Sequence, residues 1–189
     1  MNVYDFDGTI YDGDSTADFY FHMLKKKPSL LKYLPRQLWA FFSYAIKRIK
    51  KTEMKERFYV FLQGINDMEH EVNIFWDKHT SKIKSWYPAQ QKEDDVIISA
   101  SPEFLLGDIC ARLNIKYLMA SRVDARTGKY EGVNCHGQEK VRRFYERFPE
   151  GKIAQFYSDG VSDRPLAELA AEAFFVKKDR ITKWDFEKQ

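Results

Sequence analysis

Five short runs rich in apolar, β-branched and aromatic residues punctuate the chain, at 2–6, 96–100, 117–120, 153–157 and 173–176, and all but the last give way to small or acidic residues. Between the later runs the apolar positions take helical spacing, over 103–113, 138–147 and 165–171. Strands that are apolar throughout, rather than alternating, belong to parallel sheets covered on both faces, with right-handed helical crossovers as the cover. One interval breaks the alternation. From Ser15 to Glu93 no run reads as a strand, and helical patterns fill 16–26, 30–51, 53–62 and 67–86 instead. In the second of these, Leu31, Leu34, Leu38, Phe42, Ala45 and Ile49 recur at spacings of three and four, which marks one helix face. Pro35 predicts a kink or a fresh start within it. Gly128, Tyr130 and Gly132, between short apolar pieces, predict a hairpin ahead of the 138–147 helix. The expected fold class is α/β: a parallel sheet flanked by helices, with a helical insertion after the first strand.

Composition fits a folded domain, with 44% hydrophobic and 31% charged residues and only 9 Gly and 6 Pro among 189, so disordered and fibrous classes fall away. The net charge of +3 conceals a segregation. Residues 19–52 hold nine basic side chains and no acidic one, which leaves −6 for the remainder. The longest uncharged stretch there, 37–46, has ten residues, about half of the ~20 that span a bilayer. The opening Met1-Asn2-Val3-Tyr4-Asp5 has neither a basic region nor a long apolar run, so no signal peptide is expected there. Cys110 and Cys135 are too few for a disulfide framework and are expected as reduced thiols of a cytoplasmic protein. Cys135 adjoins His136, but a zinc site takes about four ligands.

Candidate chemistry gathers at strand ends. The first run closes on Asp5-Phe6-Asp7-Gly8-Thr9, so two carboxylates two residues apart project to one side as the strand leaves the sheet. Open α/β sheets bind ligands at that edge. Such a pair repels itself and calls for a cation, a shared proton or divided roles. Alone, it equally describes a solvated Asp-Gly turn. The fourth run ends Tyr157-Ser158-Asp159-Gly160-Val161-Ser162-Asp163. With this strand beside the first, Asp159 faces Asp5, and the grouped oxygen donors suit Mg2+. Asp163 also suits the cap of a helix opening at Arg164-Pro165. The second run ends Ser99-Ala100-Ser101-Pro102, a hydroxyl and free N–H groups ahead of a helix, which reads as an anion cradle or as a plain N-cap. Lys140 opens the 138–147 helix, and an isolated helical lysine is ordinarily a solvated charge.

In combination, Asp5-Phe6-Asp7-Gly8-Thr9, Ser99, Lys140 and Ser158-Asp159-x-x-x-Asp163 resemble the motif set of the haloacid dehalogenase superfamily, and closely that of its phosphatases. The insertion after the first motif resembles the cap of subfamily IB, which includes the phosphoserine phosphatases. The resemblance covers essentially the whole chain, the cap matching only in position and helical character. It implies a Rossmann-like core over 1–14 and 94–189 and a helical cap over 15–93. It further implies an Mg2+-dependent phosphatase that works through an aspartyl-phosphate intermediate. Asp5 would be the nucleophile, and Asp7 the general acid and base, their mutual charge driving their pKa values apart. Ser99 and the Ala100 N–H would hold the phosphoryl oxygens. Lys140 would neutralise charge on Asp5 and on phosphate. Mg2+ would rest on Asp5, Asp159 and the Asp7 carbonyl, with Asp163 in an outer position or reaching it through water. Asp7 favours phosphate chemistry over dehalogenation, because the dehalogenase branch lacks that second carboxylate.

The substrate divides the readings. In phosphoserine phosphatases a Glu nine residues past the nucleophile and a cap Arg bind the amino acid. The matching residues here are Asp14, one methylene shorter, and Arg57 in Glu53-x-x-x-Arg57-Phe58. Asp14 equally suits the N-cap of a helix opening at Ser15-Thr16. A second reading starts from Tyr33, Trp39, Phe41, Phe42 and Tyr44 with Lys47, Arg48, Lys50 and Lys51. Such an aromatic and basic stretch can lie in an anionic membrane surface, and some subfamily members resemble phospholipid-phosphate phosphatases. The same residues also describe a helix that packs its aromatic face on its neighbours and leaves its lysines solvated. The expected partners are a small phosphorylated substrate and, in the second reading, an anionic membrane surface. The expected location is the cytoplasm, peripheral at the inner membrane surface in that second case. No nucleic-acid recognition motif accompanies the basic residues, and no nucleic acid is expected. A reading of another class is a catalytically idle membrane or protein adaptor, against which the intact set Asp5, Asp7, Ser99, Lys140 and Asp159 argues.

Overall fold

A computed structural model describes residues 1–187; the last two residues of the 94–189 range lie outside the described residues. At its centre is a six-stranded sheet in the order β3-β2-β1-β4-β5-β6. The strands are β1 (Asn2–Tyr4), β2 (Val96–Pro102), β3 (Tyr117–Ser121), β4 (Ile153–Ser158), β5 (Ala170–Lys177) and β6 (Arg180–Lys183). The first five run parallel, and β6 returns antiparallel to β5. The expected α/β class is met, and the first and fourth apolar runs are neighbours, with Tyr4 opposite Tyr157.

Alternation along β1 divides the core in two. Val3 packs with Val96, Ile98 and Phe156 on one face, and Tyr4 with Ile97 and Tyr157 on the other, so each face carries its own apolar layer. The Tyr4 ring stacks on Tyr157 at 4.9 Å and meets Tyr87 edge-on at 5.0 Å. The first layer is covered by α7 (Gln138–Arg147) and α8 (Arg164–Ala167) through Phe144, Leu166 and Ala167. α6 (Glu103–Arg112) follows β2 and joins the second layer through Leu105, Leu106 and Ile109. The helix expected over 165–171 is cut short, because Ala170 already pairs with Ile153. Sheet pairing here overrides the helical preference of alanine.

The interval between β1 and β2 is helical, with no strand among the described residues. It holds α1 (Ser15–Lys26), α2 (Leu34–Ala45), α3 (Lys51–Phe58), α4 (Met68–His79) and α5 (Trp86–Gln90), linked in part by short 3-10 turns. Asp14 caps α1, its carboxylate accepting from the Ala17 N–H at 2.9 Å. Pro35 sits in the first turn of α2, where a missing N–H breaks no helical bond, so the helix restarts there. Phe19, Phe75 and Trp76 join the layer built on Tyr4 and Phe6. Trp76 is fully enclosed, and its Nε1 donates to the Leu105 carbonyl at 2.7 Å.

α2 turns the opposite way from the packing reading of its aromatic face. Leu34, Leu38, Phe42 and Ala45 are exposed, while Gln37, Ala40 and Ser43 are buried. The inner seam is polar and narrow. Gln37 accepts from the Tyr20 hydroxyl at 2.6 Å and donates to the Phe58 carbonyl at 2.8 Å. No helix among the described residues is long and apolar enough to cross a membrane.

Candidate active site

The loop leaving β1 is fixed to the loop leaving β4. The Asp5 N–H donates to the Tyr157 carbonyl at 2.9 Å. Thr9 is fully buried, and its Oγ1 accepts from the Asp159 N–H at 3.0 Å. Gly8 turns between them at φ 70. A Cβ at this position would stand 2.0 Å from Asp159 Oδ2, so only glycine lets the Asp159 carboxylate lie over the turn. The buried Lys84 ammonium donates to the carbonyls of Gly8 and Lys178, at 2.5 and 2.7 Å.

Asp7 is held on both oxygens. Oδ1 accepts from the Ser15 N–H at 2.6 Å, and Oδ2 accepts from the Ser101 hydroxyl. Ser99 and Ser101 stand two apart on β2 and share a side; the Ser101 N–H donates to Ser99 Oγ at 3.1 Å. Thr16 Oγ1 lies 3.2 Å from Ser101 Oγ. Lys140 is no solvated charge. From the first turn of α7, only 2% exposed, it donates to Asp5 Oδ1 at 2.9 Å and to Asp163 Oδ2 at 2.6 Å. Asp163 also accepts from the Ser158 hydroxyl at 2.8 Å.

Asp5, Asp7, Ser99, Ala100 and Asp159 line one cleft of about 390 Å3, together with Asp14 and Lys55. A wider hollow of about 580 Å3 at the β3 edge holds none of the strand-end carboxylates; arginines and glutamates share its walls. Burial is the main force on the ionisable groups of the cleft. It raises Asp5 and Asp159 above the ordinary carboxylate range despite the Lys140 charge. With the neighbouring Asp14 charge, it lifts Asp7 to about 6. Burial also works against the Lys140 proton, but Asp5 and Asp163 outweigh it and hold the ammonium above the ordinary lysine range.

Asp5 and Asp163 share the Lys140 ammonium, and Asp159 has no ion-pair partner among the described residues, so the cleft is short of positive charge. Hard oxygen donors of this kind fit Mg2+, which keeps several waters and takes substrate phosphate oxygens rather than a full protein cage. The four aspartates at the strand ends do not form such a cage. No three His, Cys, Asp or Glu side chains converge on a metal position among the described residues. Asp163 is committed to Lys140 and Ser158, and the Asp7 carboxylate to Ser15 and Ser101. The donors that fit are the Asp5 and Asp159 carboxylates with main-chain oxygen.

The two residues matched to amino-acid binding part company. Asp14 caps α1 and also lines the cleft. Arg57 does not line it and pairs with Glu53 at 2.6 Å. Lys55 of α3 lines it instead and donates to the Ala100 carbonyl at 3.0 Å. Motif spacing alone does not reveal Lys55, Lys84 or Thr16. For Lys55 a signal exists: Glu53 and Arg57 stand at the spacing of a helical ion pair, which commits Arg57 along its own helix.

A family model described as haloacid dehalogenase-like hydrolase matches residues 3–168. A probable phosphatase from Mycobacterium tuberculosis (strain H37Rv) is 34% identical over 94 residues, covering 46% of this chain and 33% of that protein. The chain therefore matches only about a third of that relative's length. Among solved structures, a protein of unknown function from Bordetella pertussis Tohama I is similar with a TM-score of 0.73 at 19% identity, over 92% of this chain and 87% of the other. A phosphoserine phosphohydrolase-like protein from Francisella tularensis subsp. tularensis SCHU S4 gives 0.59 at 15% identity, over 95% and 90%. At such identities the structural likeness speaks for the fold.

Proposed function

The chain belongs to the haloacid dehalogenase-like hydrolases, and from that premise we propose that it is an Mg2+-dependent phosphomonoesterase acting through an aspartyl-phosphate on a small phosphorylated substrate. One observation carries the reading. Asp5, at the C-terminal end of a parallel strand, is ion-paired to buried Lys140 at 2.9 Å and shares a cleft with Asp7, Ser99 and Asp159. In this reading residues 15–93 are a cap over a core of 1–14 and 94–189. A cytoplasmic location belongs to it too, since Cys110 and Cys135 are both free and buried.

The Asp5 carboxylate attacks phosphorus in line, the bond to the alcohol oxygen breaks, and Asp7 gives that oxygen its proton. Water then attacks the aspartyl-phosphate and Asp7 takes a proton from it. The phosphorus–Asp5 bond breaks, which releases inorganic phosphate and restores the carboxylate. A carboxyl lifted to about 6 by burial suits a group that both gives and takes a proton near neutrality. The Ser15 N–H and the Ser101 hydroxyl keep it oriented. Ser99, the Ala100 N–H and Lys140 oppose the charge of the transferring phosphoryl group. Asp5, Asp159 and the Asp7 carbonyl would hold Mg2+, with Asp163 outside them steering Lys140. When bound, the ion supplies positive charge to the phosphate oxygens. An amino-acid phosphate is the less favoured substrate, since Arg57 does not line the cleft.

Hydrolysis of an aryl phosphate with Mg2+, by the parent and by Asp5→Asn, tests the reading. The parent is expected to turn over and the variant to fall by about 1,000-fold or more. Equal rates would overturn it by taking Asp5 out of the chemistry, and none from either would overturn it in favour of an idle adaptor.

A further inference from the structure

Nine of the fourteen large apolar side chains exposed among the described residues fall between Phe21 and Ile46. Leu38 is 59% exposed, Trp39 54% and Phe42 53%. At about 100° per residue, Leu34, Leu38, Phe42 and Ala45 centre on one side of α2, and Gln37, Ala40 and Ser43 on the other. The first set is exposed and the second buried. For a protein surrounded only by water this helix is inside out.

The segment that carries this face is cationic. Residues 19–52 carry nine basic side chains and no acidic one. Lys26 is taken by Glu71 at 2.7 Å. Lys25, Arg36, Lys47, Arg48 and Lys50 have no acidic partner among the described residues. An apolar cleft of about 360 Å3 joins the face to the catalytic cleft. Phe41 of α2 lines it with Phe21, Met54 and Phe58, and it shares Asp14, Lys55 and Ser101 with the cleft that holds Asp5.

We propose that the α2 face seats the protein on an anionic lipid bilayer, and that the apolar cleft receives the apolar alcohol of a membrane phosphate monoester whose phosphate reaches Asp5. The second half rests on the phosphatase reading. Charge complementarity selects the occupant. Aromatic and aliphatic side chains enter the interfacial region while lysine and arginine stay among the headgroups, and each basic residue adds attraction to anionic lipid. A second copy of the chain on this face would bring two cationic segments together. A small polar alcohol would leave the rings of the cleft unmatched.

Sedimentation with vesicles of phosphatidylcholine, alone or mixed with phosphatidylglycerol, tests the docking. The intact chain is expected to bind the mixed vesicles about tenfold or more tightly than the neutral ones and to be released by salt. The Trp39→Ser/Phe42→Ser variant is expected to lose about tenfold or more of that binding. Both side chains are exposed, so the variant keeps its circular dichroism spectrum and its aryl phosphate turnover in solution. No binding, equal binding to both vesicles, or unchanged binding by the variant overturns the docking. So does concentration-dependent dimerisation that the same variant abolishes. The substrate half is read as kcat/KM on lysophosphatidate against glycerol phosphate. A preference of about tenfold or more for the lipid, reduced by Phe41→Ser, supports it; parity in the parent overturns it. Vesicle binding is measured without turnover, and aryl phosphate hydrolysis reports on the phosphatase reading separately.

Discussion

The Lys55 ammonium stands 3.0 Å from the Ala100 carbonyl, in a cleft lined by four aspartates. Burial, helped by the charge of Lys51, lowers its pKa to about 8, and the surrounding aspartates only partly restore it. Such a lysine is charged at neutral pH and loses its proton as the pH rises through about 8. Its attraction for a phosphorylated substrate is therefore present below that value and lost above it. Lys55→Met is expected to raise KM about tenfold with a smaller change in kcat, the worth of one charge-assisted hydrogen bond. It should also flatten the alkaline rise in KM of the parent, and a rise that persists would assign the titration to another group. Gly8 makes a different demand. Gly8→Ala strains a left-handed turn by about 1 kcal/mol and meets the Asp159 carboxylate. The Mg2+ concentration for half-maximal activity is expected to rise about tenfold, read by metal titration at saturating substrate. An unchanged titration would show that Asp159 does not hold the ion.

Among the elements, α7 brings Lys140 into the core and is braced by its own ion network. Glu139 pairs with Arg142 and Arg143, each at 2.8 Å, and Arg143 also donates to the Ala120 and Val133 carbonyls. The Arg142 hydrogen bonds, and then Arg143, hold the Glu139 carboxyl down at about 2 against its partial burial. The folded value lies below the unfolded one of about 4.3. The stabilisation is thus complete above the ordinary glutamate range and is lost as pH falls toward the folded value. Because the network meets solvent, about 1 kcal/mol is at stake. Urea unfolding should show Glu139→Gln weaker than the parent by that amount at pH 7, the gap closing as the medium is acidified. A gap that is constant with pH would place the contribution in packing. Legibility in sequence also works element by element. β1, β2 and β4 are readable because their runs are predominantly apolar and end in the serines and aspartates of the site. β6 is not, since Arg180-Ile181-Thr182-Lys183 is short and polar at its ends and is a strand only through pairing with β5. In α2 the period is readable and the direction is not. Periodicity says which residues share a face, never what that face meets. Arg57 and Lys55 follow the same logic, because a spacing matched to relatives cannot say which side of α3 looks into the cleft.

Across the whole molecule, charge and architecture divide along one line. The basic residues of 19–52 lie in the helical segment, while Asp5, Asp7, Asp159 and Asp163 stand at the strand ends. Polar bonds join the two around the cleft. Lys55 reaches Ala100, the Tyr130 N–H donates to Glu56 at 2.9 Å, and Gln63 donates to the Thr127 carbonyl at 3.2 Å. At Gly128, with φ 76, the approach is so close that a Cβ would stand 2.6 Å from the Tyr59 carbonyl oxygen. Gly128→Ala therefore strains its own turn by about 1 kcal/mol and wedges the loop away from the end of α3. The three atoms nearest such a Cβ all belong to Tyr59, so the expected damage is local. Hydrogen exchange at the α3 amides should quicken while that of β1 and β4 holds, and KM should rise as Lys55 is drawn away from Ala100. Uniform acceleration across the sheet would mean that helical segment and sheet open as one unit. The decisive comparison is the double variant. If Gly128 sets the position of Lys55, Lys55→Met adds little to Gly128→Ala, because the ammonium it removes has already been withdrawn; full additivity of the two KM effects would show the contacts to be independent.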